Sequence, residues 1–209
     1  MNRATLGRKL CRVATNAVVA RPGAWSVFRR PIQRLFDALA PQWDTIRRPD
    51  HLAVYEQALD ALPAPPKRAL DIGTGTGDGA LAIARRFPTA EVVGVDLAER
   101  MVAEARRKMD GEAGVEVRFE RADASKLPYD SASFDLVAHA NMIPFFDEIA
   151  RVTAPGGHVL FAFSGGPGTP IYVPFERLRS ELQRRGFTDF AEFAAAPGIA
   201  LLARKETSS

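Results

Sequence analysis

Leu70-Asp71-Ile72-Gly73-Thr74-Gly75-Thr76-Gly77 joins a short apolar run, Arg68–Ile72, to a helical pattern over Asp78–Phe87 that Pro88 ends. A glycine loop between strand and helix lets a ligand approach the backbone closely. The helix start adds free N–H groups and partial positive charge. A P-loop would place a lysine after the glycines, and none follows here. A dinucleotide fingerprint counted from Gly73 would need a third glycine where Asp78 stands. Its side chain would crowd the helix–strand packing and repel a diphosphate. Asp71, just before the loop, suits a cationic ligand better than a phosphate.

Two further acids stand at corresponding places. Asp96 ends the valine-rich run Glu91–Asp96, and Asp123-Ala124 follows the alternating run Val115–Arg121. An acid ending the second strand can accept both hydroxyls of a ribose. Asp96 would serve equally as a cap for the helical pattern Ala98–Asp110. Asp123 can accept an adenine amino group, or serve as a turn residue. Together they favour S-adenosyl-L-methionine, which carries an ammonium, a sulfonium, a ribose and an adenine, and no phosphate.

Outward from these motifs, strands and helices alternate. Further strands are read at Phe134–Ala138, His158–Phe163, Asp189–Ala194 and Ile199–Ala203. Helices are read at Pro144–Thr153 and Pro174–Arg185. The pattern predicts an α/β fold with a mostly parallel sheet and helices on both faces. Upstream, helical patterns run from Pro31 towards Ala40 and over His51–Leu62, and Pro63-Ala64-Pro65-Pro66 makes a linker. The boundary is therefore placed there: residues 1–62 form an N-terminal arm with helices, a possible lid, and residues 63–209 the ligand-binding domain.

The 209 residues, 46% apolar and 25% charged, describe an ordinary globular protein. No apolar run approaches the ~18 residues of a membrane-spanning helix. One cysteine, Cys11, forms no internal disulfide, and the three histidines have no metal-ligand spacing. No metal is expected, and the cytoplasm is the expected compartment. The charge is unevenly placed. Residues 1–36 hold eight bases and no acid, and the remainder holds twenty bases against twenty-five acids. Such an arm suits an anionic membrane surface, a transit peptide, or a solvated extension broken by Pro22-Gly23 and Pro31. Nucleic acid is not the expected partner.

The motifs in order resemble the class I S-adenosylmethionine-dependent methyltransferases. Leu70–Gly77 is similar to their first motif and Val93–Ala98 with Met101 to their second. Asp123–Tyr129 running into Ser133–Val137 is similar to the third region, and Ile149–Gly157 to the turn before the fifth strand. Within the class the chain looks most like quinone-biosynthesis C-methyltransferases. Phe36–Asp44 is similar to their entry motif, with Trp43 where a tyrosine is usual. The resemblance implies a Rossmann-like seven-stranded sheet with its last strand antiparallel. Asp71 and the backbone of Gly73, Thr74, Gly75 and Gly77 would hold the methionine end, with Asn141 near it. Asp96 would hold the ribose, Leu97 and Met101 would flank the adenine, and Asp123 with Ala124 would bind its amino group.

The reaction implied is in-line methyl transfer to a small-molecule or lipid-like acceptor. His139 is the candidate proton acceptor, at the sheet edge where α/β ligands bind. Trp43 and Tyr172 are candidates to line the acceptor pocket. Only ten residues, AHANMIPFFD, separate Val137 from Glu148, fewer than is common in the family. An RNA or protein methyltransferase recruited by the arm is the alternative, as is a non-catalytic binding protein. No Asn-Pro-Pro-aromatic motif appears, which argues against amino-methylation of DNA bases or glutamine, and residues 63–209 hold no cysteine, which excludes covalent pyrimidine methylation.

Overall fold

The computed structural model describes residues 3–112 and 114–207. Seven strands form one sheet: β1 Arg68–Ile72, β2 Glu91–Asp96, β3 Val117–Arg121, β4 Phe134–Ala140, β5 Thr153–Phe163, β6 Phe187–Ala195 and β7 Gly198–Lys205. Their order is β3-β2-β1-β4-β5-β7-β6. The pairs among β1 to β5 are parallel, and β7 runs antiparallel to both β5 and β6. The order reverses at β1, where chain connections leave in opposite directions. A crevice at the carboxyl ends of the strands is the expected ligand position in such a sheet.

Among the described residues eight α-helices surround the sheet: α1 Arg3–Ala20, α2 Trp25–Leu39, α3 Trp43–Ile46, α4 Ala53–Asp60, α5 Asp78–Arg86, α6 Glu99–Met109, α7 Phe146–Val152 and α8 Phe175–Gln183. Successive side chains of a strand point to opposite faces, and the core divides accordingly. Leu70, Ile72, Val93, Val95, Val137 and Phe161 form one cluster with residues of α1, α2, α7 and α8. Ala69, Val92, Phe119, Leu136 and Leu160 form the other with α4, α5 and α6.

The arm is part of this architecture. Parallel strands of one sheet usually have a helix in their crossover, but residues 122–133, which carry the chain from β3 past β2 and β1 to β4, form none. Cys11, Ala14, Val18, Trp25 and Ile32 cover that side of the sheet instead. Pro22-Gly23 do interrupt the arm, in a one-turn 3-10 helix, whereas Pro31 lies inside α2. Its ring is exposed, so the residue sacrifices one backbone hydrogen bond without a steric clash against the core. The other departure is at β5. Ala154-Pro155-Gly156-Gly157 reads as a turn, yet the strand begins at Thr153, which pairs with Phe134 across a register shift. No helix among the described residues is long and apolar enough to cross a membrane.

Candidate cofactor site

The glycine loop connects β1 to α5 at the carboxyl edge of the sheet. Gly73, Gly75 and Gly77 all have positive φ. Gly75 (φ +56°) is the one of the three where a Cβ would meet no atom closer than 3.4 Å. A Cβ there would sit 3.4 Å from the indole nitrogen of Trp43. Thr74 and Thr76 are buried, and the N–H groups of Gly73 and Thr74 are both spent on the carbonyl of Val95. Met142, from the shortened segment after β4, lies over Gly73.

Asp71 is 2% exposed and accepts the Tyr55 hydroxyl at 3.3 Å. Its carboxylate also lies against Gly79, where a Cβ would come within 2.9 Å of it. The close helix–strand packing thus falls on Gly79, and Asp78 is turned away from it. Asp78 meets Arg47 at 2.7 Å, Lys108 at 2.5 Å and His51 at 3.0 Å. Lys108 also reaches Asp44, which accepts the Thr76 hydroxyl at 2.6 Å. Burial raises the carboxyl of Asp71 to about 7, against the hydrogen bond from Tyr55. The cations around Asp78 overcome its burial and hold it well below the usual carboxylate range.

Asp96 accepts the N–H of Gly75 at 2.9 Å on one oxygen and that of Ala98 at 2.9 Å on the other. A carboxylate offers about four acceptor positions, so two remain. Part of its surface meets solvent, yet desolvation, with the charge of Asp37, raises it to about 6. Asp96 does not cap α6. That service comes from α2, whose Asp37 accepts the Arg100 N–H at 3.0 Å. Leu97 is half-buried, and Met101 is buried with Ala40, Ala98, Phe36, Leu39 and Trp43.

Asp123 has different company. It accepts the Ser125 N–H and hydroxyl at 2.9 and 2.7 Å and the Trp25 indole N–H at 3.0 Å, and it pairs with Arg29 at 2.5 Å. Burial opposes its charge, but these bonds outweigh burial and keep the carboxyl below its usual range. Ala124 beside it is buried.

The remaining candidates lie towards β4 and β5. Asn141 (φ +53°) clamps the two strand ends: its amide donates to the Ser164 hydroxyl at 2.9 Å and accepts the Ser164 N–H at 3.0 Å. His139 is wholly buried, its ring edge-on to Phe161 at 4.1 Å, and neither ring nitrogen has a partner among the described residues. Burial lowers it to about 3, so it is neutral. Trp43 lies over the glycine loop and edge-on to Phe36. Tyr172 sits apart, edge-on to Phe163, beside a cavity of about 240 Å³ next to α1. The fold therefore gathers Asp71, the loop, Asp96, Leu97, Met101, Asp123 and Trp43 at one edge, with Asn141 adjoining. Tyr55, Arg47, Lys108, Met142, Trp25 and Arg29 join them without a sequence motif. The one advance signal was charge: an arm rich in bases facing a domain with an excess of acids.

A family model described as a methyltransferase domain matches residues 69–157. The demethylmenaquinone methyltransferase of Thermus thermophilus is 43% identical over 138 residues, covering 60% of this chain and 62% of that protein. That of Roseiflexus castenholzii is 33% identical over 164 residues, covering 70% of this chain and 68% of its own length. The chain thus spans less than two thirds of the Thermus relative. A S-adenosylmethionine-dependent methyltransferase from Aquifex aeolicus superposes with a TM-score of 0.62 at 19% identity, over 77% of this chain and 95% of that one, which shows a shared fold. Relatives and sheet order agree with the motifs, and the chain belongs to the class I S-adenosylmethionine-dependent methyltransferases.

Proposed function

We propose that this protein transfers a methyl group from S-adenosylmethionine to a small, lipid-like acceptor of the quinone class. The observation that carries the cofactor assignment is Asp96: a desolvated carboxylate with two acceptor positions open, beside a glycine whose Cβ would enter the same space. Two neighbouring hydroxyls on a ribose match those positions. Asp71 supplies negative charge beneath the loop for the ammonium end. The acceptor class rests on the two demethylmenaquinone methyltransferase relatives.

When bound, the cofactor supplies a methyl group already activated by its sulfonium. The residues of the chain bind it, align the acceptor and exclude water. Trp43 and Met142 roof the loop and serve the last task. His139 does not serve as the proton acceptor the sequence suggested: it is wholly buried against Phe161, out of reach of an acceptor, and burial keeps it neutral. Calorimetry with S-adenosylmethionine, its demethylated product, NAD and ATP tests the reading. Micromolar binding of the first two and none of the others is expected. Tight NAD binding without a response to S-adenosylmethionine would end it.

A lipid-like acceptor favours an enzyme at the membrane surface, and the arm offers a face for it. Leu6 and Val13 on α1 are each 56% exposed, and Val27 on α2 is 69% exposed. Lys9, Arg30 and Arg34 lie exposed at helical spacing from them. Each base near an anionic leaflet contributes about 1 kcal/mol. Trp25 and Phe28, the aromatic side chains the sequence offers for that contact, face the protein instead. The full chain is expected to float with phosphatidylglycerol vesicles, and a Val13→Asp, Val27→Asp, Arg30→Glu variant to stay behind. Equal flotation, or none by either, removes the membrane face.

A further inference from the structure

Two cavities lie side by side along α1, one of about 240 Å³ and one of about 410 Å³. They share Val19, Ala20 and Arg177 as walls, so together they form one trough. Its other walls come from two corresponding connections. Pro144, Phe145 and Phe146 lead from β4 into α7, and Tyr172, Val173 and Pro174 lead from β5 into α8. Both connections leave the carboxyl edge of the sheet, the edge that carries the glycine loop. The β4 connection also touches that loop, where Met142 lies over Gly73. Two residues of chain, from Met142 to Pro144, span at most about 7 Å. The trough therefore begins beside the roof of the cofactor loop. Its chemistry is apolar. Among the described residues each charged group on its walls already has a partner: Arg185 holds Asp147 and Glu181, Arg177 holds Glu181, and Arg151 holds Glu148. The hydroxyls of Thr15 and Ser125 are given to the Cys11 carbonyl and to Asp123. A charged ligand would lose its hydration there and gain no counter-ion. Val18, Val19, Phe145, Phe146 and Val173 offer hydrocarbon instead.

We propose that this trough holds a long hydrocarbon chain of the acceptor, while the ring that receives the methyl group sits by Met142 and the glycine loop. This rests on the reading of the acceptor as lipid-like. The size suits the task, since small-molecule sites are clefts of about 300–1,000 Å³ lined mostly by apolar side chains. The arm completes the trough. One side of α1 lines it with Thr15, Val19 and Ala20, and the same helix exposes Leu6 and Val13 to the outside. The guanidinium of Arg12 fixes α1 on the carbonyls of Thr169 and Tyr172, at 2.6 and 3.1 Å, and so sets the width between α1 and the β5 connection. Tyr172 then meets the acceptor through its chain, which accounts for its place apart from the cofactor residues.

Calorimetry of the full chain with farnesol, an uncharged alcohol on a hydrocarbon chain, reads the trough without the reaction. Farnesol is expected to bind, and farnesyl phosphate to bind no more tightly. Ala20 lines both cavities and is exposed, so Ala20→Trp fills the trough at little cost to the fold. It is expected to weaken farnesol binding by about tenfold or more, because the chain loses apolar contact. The affinity for S-adenosylmethionine is expected to stay the same. Asn16→Trp, at an exposed position on the smaller cavity, carries the same expectation and decides the matter if Ala20→Trp does not fold. Two reduced demethylnaphthoquinones, one with a long hydrocarbon chain and one without, extend the test to the reaction. The variant is expected to lower the ratio of their kcat/KM values, chain-bearing over chainless, by about tenfold. Unchanged farnesol binding or an unchanged ratio in a folded variant would overturn the trough while leaving methyl transfer standing. Tighter binding of farnesyl phosphate than of farnesol would overturn it as a site for an uncharged chain. Methylation of neither quinol by the unaltered chain would overturn the acceptor reading, and the trough with it.

Discussion

A Gly75→Val variant is expected to fold and to bind no S-adenosylmethionine measurably, a loss of at least about a hundredfold. Gly75 stands at φ +56°, where a residue with a side chain is strained by about 1–2 kcal/mol. A fold of this size tolerates that strain, because Gly75 packs on no strand. The ligand does not tolerate it. A valine Cβ would stand 3.4 Å from the Trp43 indole nitrogen, and its methyl groups would fill the crevice beyond. The change also disturbs the N–H that Gly75 gives to Asp96, so the loop loses shape and one contact together. Circular dichroism and calorimetry on the same sample check both halves. Retained affinity in a folded variant would show that the ligand does not cross this loop.

The second large effect is at Asp96. Asp96→Ala is expected to weaken S-adenosylmethionine binding by about 1–3 kcal/mol, since buried hydroxyls lose a charged acceptor. It also strands the N–H groups of Gly75 and Ala98, so stability falls as well. Asp96→Asn loses the charge and keeps one carbonyl oxygen, so it strands only one of the two backbone N–H groups and costs less stability than Asp96→Ala. The pH dependence gives an independent readout. The free carboxyl titrates near 6 because burial disfavours its charge, and that of Asp71 near 7. The ligand needs both charged. Affinity is therefore full only above about pH 8 and declines as pH falls through 7 and 6. Each group adds a decline of up to about tenfold per unit below its pKa. The part centred near 6 should vanish in Asp96→Asn. An unaltered pH profile in that variant would remove Asp96 from the ribose contact.

The strands nearest the site were legible in the sequence almost to the residue. Arg68–Ile72 and Glu91–Asp96 are short apolar runs bounded by proline, glycine and charge, and buried parallel strands leave that signature. Asp71, one residue before the end of β1, and Asp96, which ends β2, were legible because strand ends fix where acids can meet a ligand. The arm was not. Its helices owe their place to surfaces far along the chain, such as Phe161, Leu178 and Phe187, and no window of local sequence contains both partners. The same holds for Trp25 on Asp123 and Tyr55 on Asp71, contacts that only the folded sheet creates. His139 was read at the ligand edge from its position on β4, but which face it takes follows from the pleat, and the pleat turns it beneath Phe161.

The contact of Arg12 with Thr169 and Tyr172 has a bearing on how the chain is made. The arm leaves the ribosome before the sheet does, and these acceptors emerge about one hundred and sixty residues after Arg12. Until β1 to β5 have emerged, α1 and α2 have no sheet to cover, and their apolar stripe, flanked by bases, stays in solution. Contacts this remote in sequence form slowly, because a long loop must close before they yield anything. The arm is therefore made well before the surfaces it covers, and the nascent chain carries an uncovered apolar stripe until the sheet has formed.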